Sequence, residues 1–489
     1  MTTCARPAWG FRRLLGVVYV CAFGSLAIQL PGLLGAGGIL PAREYMDVAR
    51  SWTAAEGVGL ARFHLVPTLF WISATDAFIR AVCVAGLGSG ALLASGIAPL
   101  LTTAVAWVAY LSLMTVGQDF LSYQWDALLL EAGFFALFVT PARWLDRLRD
   151  APAPMRGSVW LLIWLLFRLM VGSGAVKLTS GDPTWRALTA LTFHFETQPL
   201  PTPAAWFVHH APVGVLKAMC AAVIAVELFA PLLIFGGRRP RLAGFALLVG
   251  LQAAIALTGN YAWFNMLAAG LCVFMLDDAM FGYSPQPRRH GVPARAAVAV
   301  AALVTLPVSV IAFAWSLGVR PAPSPPVEAL SRAVAPFHIA NRYGLFAIMT
   351  TTRDEIVVEG SDDGREWRRY EFKYKPGDLN RRPPWVAPHQ PRLDWQMWFA
   401  ALGGDDTEPW FRRFLDRLQE GSPAVLGLLA RDPFNGRPPR MVRAELMRFH
   451  FSNDGASWWA AEPIGLFSSR PASGGRGAVS VYNPSTADD

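Results

Sequence analysis

The chain is expected to be a polytopic α-helical membrane protein of about nine spans with a C-terminal, jelly-roll-like β-sandwich on the non-cytoplasmic side. Three observations predict this. Of 489 residues, 53% are hydrophobic and 16% charged, a balance too apolar for an ordinary soluble protein. Apolar runs long enough to cross a hydrocarbon core of about 30 Å recur up to Val319 and then stop. Beyond them the pattern turns to β-rich stretches punctuated by Asp-Gly at 363–364 and 454–455, each a hairpin signal.

In order, the candidate spans are 14–30, 77–97, 100–116, 127–139, 159–175, 213–235, 242–257, 263–276 and 296–317. The fourth and eighth are short. The first has no small-residue cleavage site after it and reads as a retained signal anchor. Residues 31–75 mix Arg43, Glu44, Asp47, Arg50, Glu56 and Arg62 and read as an amphipathic lid, within which 63–72 reads as an interfacial or re-entrant piece. Only Ala98 and Pro99 separate the second and third spans, so these form a tight helical hairpin.

Arginine placement gives the orientation, because short basic loops stay cytoplasmic. Nine spans put the N-terminus (Arg6, Arg12, Arg13) on the cytoplasmic side. The loops with Arg143, Arg147, Arg149 and Arg156, with Arg238, Arg239 and Arg241, and with Arg288, Arg289 and Arg295 join it there. The opposite loops 117–125 and 259–262 hold no Lys or Arg. The 176–212 loop and everything past 320 then face the other side. Topology accounts for much of the net charge of +8, so no nucleic-acid partner is expected. The five cysteines end at Cys272 and form no CxxC, which argues against thiol-disulfide exchange and against disulfides in the C-terminal domain.

Charged residues inside apolar runs are the first functional candidates, since an unpaired buried carboxylate costs several kcal/mol. Glu131 needs a partner, and Arg168 in LLIWLLFRLMVGSG is the natural one; Glu227 is a second buried acid. An internal pair locking the bundle and a substrate or proton site are both open readings. Lys177 stands where the fifth run ends at Ser173-Gly174, as an interfacial anchor or a reactive amine. The loop after it carries Trp185, Phe193, His194, Trp206, Phe207, His209 and His210 and is too apolar to float in water, so it should dock on the membrane face or on the chain itself. Asn260 and Asn265 sit among aromatics at another turn and read as part of an interfacial belt.

The Pro-rich stretch 321–326 is the expected linker between a membrane domain, 1–320, and a β-rich domain, 327–489. A helix over 327–334 leads into strands at 345–352, 355–359 and 367–374, with a helical insertion at about 393–430. Pro383, Pro384, Pro388 and Pro391 stiffen one segment. Its His389, Gln390, Arg392, Asp394, Trp395 and Trp398 are candidates for a protein-binding interface, because aromatics with Arg make interface centres. Trp395 and Trp398 share a helical face and could equally be core. His389 has no metal-binding company, so no metal is expected, and the absence of GxSxG argues against a lipase.

Several phrases resemble the lipase maturation factor family: SGAVKLTSGDPTW, LTALTFHFETQPLPTP and AAWFVHH in the loop, then NRYGLFAIMTTTRDEIVVEGS, YEFKYKPGD, PPWVAPHQPRLDWQMWFAAL and AELMRFHFS. The resemblance spans nearly the whole chain. It implies a multi-pass, chaperone-like, non-enzymatic protein without cofactor, with an exported lipase and membrane lipids as partners. It also implies the endoplasmic reticulum membrane in eukaryotic members, or the cell membrane if this Ala-, Arg- and Gly-rich chain without glycosylation sequons is bacterial. A wider, weaker similarity, of WDALLLEAGF with GAVKL, is to the membrane core of vitamin K-dependent carboxylase. It implies an alternative, an integral-membrane enzyme using Lys177 as base with Glu131 or His194. EGSDDGREW is similar to a scaffold turn of carbohydrate-binding jelly-roll domains, which leaves a lipid- or carbohydrate-binding surface module as a third reading.

Overall fold

The computed structural model describes residues 3–285, 290–403, 408–453, 455 and 457–470. Arg288, Arg289 and Asp454, named above, lie outside the described residues, as does 471–489. The membrane half holds α1 (Ala5–Ala27), α2 (Ala42–Ala55), α3 (Asp76–Ser95), α4 (Pro99–Gly117), α5 (Gln124–Val139), α6 (Arg156–Thr179), α7 (Val213–Phe229), α8 (Arg238–Thr258), α9 (Phe264–Cys272) and α10 (Val292–Ser316). Among the described residues seven helices are long and apolar enough to cross a membrane: α1, α3, α4, α6, α7 with its extension to Phe235, α8 and α10. The two remaining candidate spans fall on α5, of 16 residues, and α9, which runs on as a 3-10 turn to Met275. Small residues bring α1 and α3 together: a Cβ on Gly16 would stand 2.3 Å from the Ala94 nitrogen, and one on Gly86 would strike the Phe23 ring.

The two ends of the bundle differ. At one, Arg12 donates twice to Asp146 Oδ2 at 2.9 and 2.7 Å, the Ala5 and Arg6 amides bind Asp278, and Arg241 pairs with Asp277 at 2.8 Å. At the other, the C-terminal half packs directly on the helix ends. One hydrophobic cluster runs without interruption from Cys4 to Ala444, so the 321–326 linker does not separate two independent cores.

The fifth run does not leave the bundle at Ser173-Gly174. The helix continues to Thr179 with Lys177 buried, because Gly174 serves close packing: a Cβ there would meet Glu227 and Leu228 of α7 at 3.0 Å. The loop that follows is built of three short helices, Pro183–Arg186, Ala190–Thr197 and Pro203–His209, two of them begun by the side-chain caps Asp182 and Thr202.

The C-terminal half contains α11 (Pro325–Val334), β1 (Arg353–Ser361), β2 (Arg368–Arg369), β3 (Glu371–Phe372), α12 (Arg392–Gly403), α13 (Pro409–Gln419), β4 (Leu429–Arg431), β5 (Met441–Phe451) and β6 (Trp459–Arg470). Its sheets are antiparallel. The expected hairpins β1–β2 and β5–β6 form, yet they lie side by side in one four-stranded sheet, ordered β2-β1-β5-β6, instead of facing each other; β3 and β4 make a separate pair. The reason is β1: its burial is continuous from Glu355 to Ser361, as suits a central strand with α12 packed on it. Residues 345–352 form no strand, and the 367–374 run is broken at Tyr370, which turns inward while its amide still bonds Val358 O at 2.9 Å.

Candidate functional site

The junction between the helix ends and the C-terminal half gathers most of the singled-out residues. At its centre Asp126, in the first turn of α5, receives Arg392 from the start of α12, with both guanidinium nitrogens 2.9 Å from the two carboxylate oxygens. Both side chains are fully buried, and Tyr110 of α4 donates its hydroxyl to the same carboxylate. Burial works against the Arg392 charge, but Asp126 outweighs it and raises the guanidinium pKa above its ordinary value. The Arg392 amide donates to Gln29 Oε1 (2.8 Å), Gln29 Nε2 to Gln390 O (2.7 Å) and the Gln390 amide to Ser25 Oγ (2.8 Å), stitching this segment to the end of α1.

This corrects the client-binding expectation. Gln390, Arg392, Asp394, Trp395 and Trp398 are buried, and only His389 keeps partial exposure. Asp394 Oδ1 accepts the Tyr374 and Lys375 amides at 2.8 and 2.9 Å, and burial raises its pKa against those bonds. Trp395 stands among Trp125, Tyr123 and Tyr261 with ring centroids 4.8, 5.7 and 5.9 Å away. Trp398 Nε1 donates to Thr197 O at 2.8 Å. The physical reason is that the membrane half supplies its own apolar and acidic receptor for this segment. His389 Nδ1 is 2.9 Å from Ser25 Oγ, and burial, then the Arg392 and Lys373 charges, hold its imidazole down at about 4.

Glu131 and Arg168 are hydrogen-bonded and buried. The carboxylate is also a hub for residues just before the sheet: the Asn341 amide (3.0 Å), Asn341 Nδ2 (2.9 Å) and the Tyr343 hydroxyl (2.7 Å) all donate to it, and Arg168 donates to Asn341 O (2.9 Å). The half-buried, non-helical backbone of Asn341 is thereby satisfied against the bundle. Lys177 pairs elsewhere, giving hydrogen bonds to both Glu227 oxygens (3.0 and 2.8 Å) and to Ser173 O (3.1 Å). His194 Nε2 lies 3.3 Å from the Tyr261 hydroxyl, and burial, then the Lys177 charge, hold its pKa down at about 4. Lys177 and Glu131 thus belong to different ion pairs, and no group of three metal-ligating side chains occurs among the described residues.

Sequence reasoning missed three contacts. Arg353 of β1 reaches Glu196 O (2.6 Å) and Pro199 O (2.8 Å) of the loop while pairing with Glu355 (2.7 Å); two charges at i and i+2 on one strand face were the available signal. Asn260 is not merely a belt residue: its Oδ1 accepts the Val386 and Ala387 amides at 2.7 and 3.0 Å. For Asp126 the available signal was a carboxylate at the edge of an apolar run, but the partner lies 266 residues away.

Residues 6–283 match the family model described as the lipase maturation factor transmembrane domain, and residues 339–468 match the lipase maturation factor C-terminal domain. Lipase maturation factor 2 of Gallus gallus is 36% identical over 584 residues, covering 94% of this chain and 81% of its own. Human lipase maturation factor 2 is 36% identical with 94% and 82% covered, and human lipase maturation factor 1 is 32% identical with 93% and 86% covered. No solved structure matches the chain. With both halves matched, in order, and relatives aligned over nearly its whole length, the chain belongs to the lipase maturation factor family.

Proposed function

We propose that this protein is a membrane-bound maturation factor that helps an exported lipase to fold or assemble, acting from a non-cytoplasmic face built of the 176–212 loop and the 327–489 domain. The observation that carries this reading is the family relationship across both halves. All nine apolar helices span the membrane in this reading, with the N-terminus cytoplasmic. The Asp126–Arg392 contact supports the idea that the C-terminal half works as a rigid surface fixed on the bundle, and not as a tethered module. Client contacts must then come from residues exposed on that surface, with Trp395 and Trp398 as its core.

An enzymatic role for Lys177 has less support, because its ammonium is tied to both oxygens of Glu227 and to a helix carbonyl, which fits a packing role. The test is co-expression with an exported lipase in cells lacking a maturation factor. The intact chain should raise active lipase in the medium with lipase synthesis unchanged, and Lys177→Arg should preserve that gain. Loss of all activity in a Lys177→Arg protein that still inserts and folds would favour membrane-embedded chemistry.

A further inference from the structure

The segment after α2 exposes more large apolar side chains than an aqueous loop tolerates. Leu60 is 81% and Ile72 75% exposed, with Phe63, Leu65 and the α2 residue Trp52 also open. Between 57 and 75 the only Lys, Arg, Asp or Glu is Arg62, whereas the charged residues of this region cluster on α2. Three of its polar groups find partners within the protein: Trp71 Nε1 donates to Val66 O (2.8 Å), Thr68 Oγ1 to Ser112 O (3.2 Å), and the Leu69 amide to Ser112 Oγ (3.0 Å).

These bonds also fix its level. Thr115 Oγ1 donates to Pro67 O at 3.3 Å, so the segment runs beside Ser112 and Thr115 of α4, which ends at Gly117. At 1.5 Å per residue it lies about 3 to 8 Å inside the end of that membrane helix, the depth at which interfacial elements sit in the headgroup and acyl boundary. His64 anchors the far edge to Ala333 O at the end of α11 (2.8 Å). The Arg62 guanidinium lies over the Phe63 and Trp71 rings at 4.8 and 5.3 Å and makes no hydrogen bond or ion pair with the described residues, leaving its N–H edge free.

We propose that residues 59–72 are immersed in the bilayer leaflet on the side of the C-terminal half, with Leu60, Phe63, Leu65 and Ile72 among acyl chains and Arg62 on lipid phosphates. The occupant is phospholipid, because the level is set by a membrane helix and a flat guanidinium on aromatics suits phosphate oxygens at that depth. The full-length protein in phospholipid nanodiscs tests this, with spin labels at Leu60→Cys and Ile72→Cys. Asp363→Cys serves as the aqueous control and Leu303→Cys, exposed on α10, as the acyl control. The five native cysteines are buried or half-buried, and the unsubstituted chain gives the labelling background.

The expected result is frequent collision with oxygen and rare collision with an aqueous nickel chelate at both sites, as at Leu303. Arg62→Gln should shift both labels toward the aqueous side. Nickel collision like that of Asp363 would overturn the proposal, as would low collision with both reagents, which would mean that a second copy or a client covers the segment. An Arg62→Gln protein with unshifted labels would overturn the phosphate contact.

Discussion

Arg392 and Asp126 are two full charges removed from water, and their two-point geometry with the Tyr110 hydroxyl is what offsets that desolvation. Removing one partner strands the other. Asp126→Asn or Arg392→Met should each destabilise the protein by roughly 3 to 5 kcal/mol, and the double change should recover part of the loss. Thermal unfolding of the four proteins in one detergent measures this, and strictly additive losses would show that the charges do not depend on each other. Composition alone could mark Asp126 and Glu131 as carboxylates in need of partners. It could not mark Arg392 as the partner of the first, because a Pro-flanked Arg beside two tryptophans has the same composition whether it faces a client or the inside of its own chain. Arg168 was legible because it stands in the middle of an apolar run, where few other roles are open to it.

Helices were legible from hydropathy, including the two short ones, because lipid-facing and buried helix faces are both apolar. Elements held by distant contacts were not. Residues 341–343 show no periodicity and are held against the bundle because Glu131, some 210 residues upstream, accepts donors from Asn341 and Tyr343. The sheet is similar: Asp-Gly revealed each hairpin, but which strands meet edge to edge depends on the β1–β5 pairing, for which no local signal exists. Two docking segments carry a buried or half-buried histidine each, His389 near α1 and His194 in Ala190–Thr197. Both imidazoles sit at about 4, below the ordinary 6.5. The unfolded chain then binds more protons than the folded one between those values, so their contribution is fully present above pH 6.5 and is lost as pH falls toward 4. The melting temperature should fall between pH 7 and pH 5 at constant ionic strength, and His389→Asn should flatten that fall. A melting temperature that rises on acidification in this window would contradict the assignment.

At the scale of the whole molecule, the helix ends, the 176–212 loop and the C-terminal sheet form one body through Arg392–Asp126, Arg353 on the loop carbonyls and Asn260 on the Pro-rich segment. Polar groups of each half are thereby satisfied by the other: Arg392 by Asp126, Arg353 by the loop carbonyls, and the Val386 and Ala387 amides by Asn260. In the proposed function this body faces away from the cytoplasm, where an exported client would meet it. Labelling with an impermeant thiol reagent tests that most directly, because the native cysteines are buried or half-buried. In sealed right-side-out vesicles, a cysteine at Asp363 should label at once, and a cysteine at Arg239 only after permeabilisation. Labelling at Arg239 in sealed vesicles, with Asp363 protected until they are opened, would contradict the account.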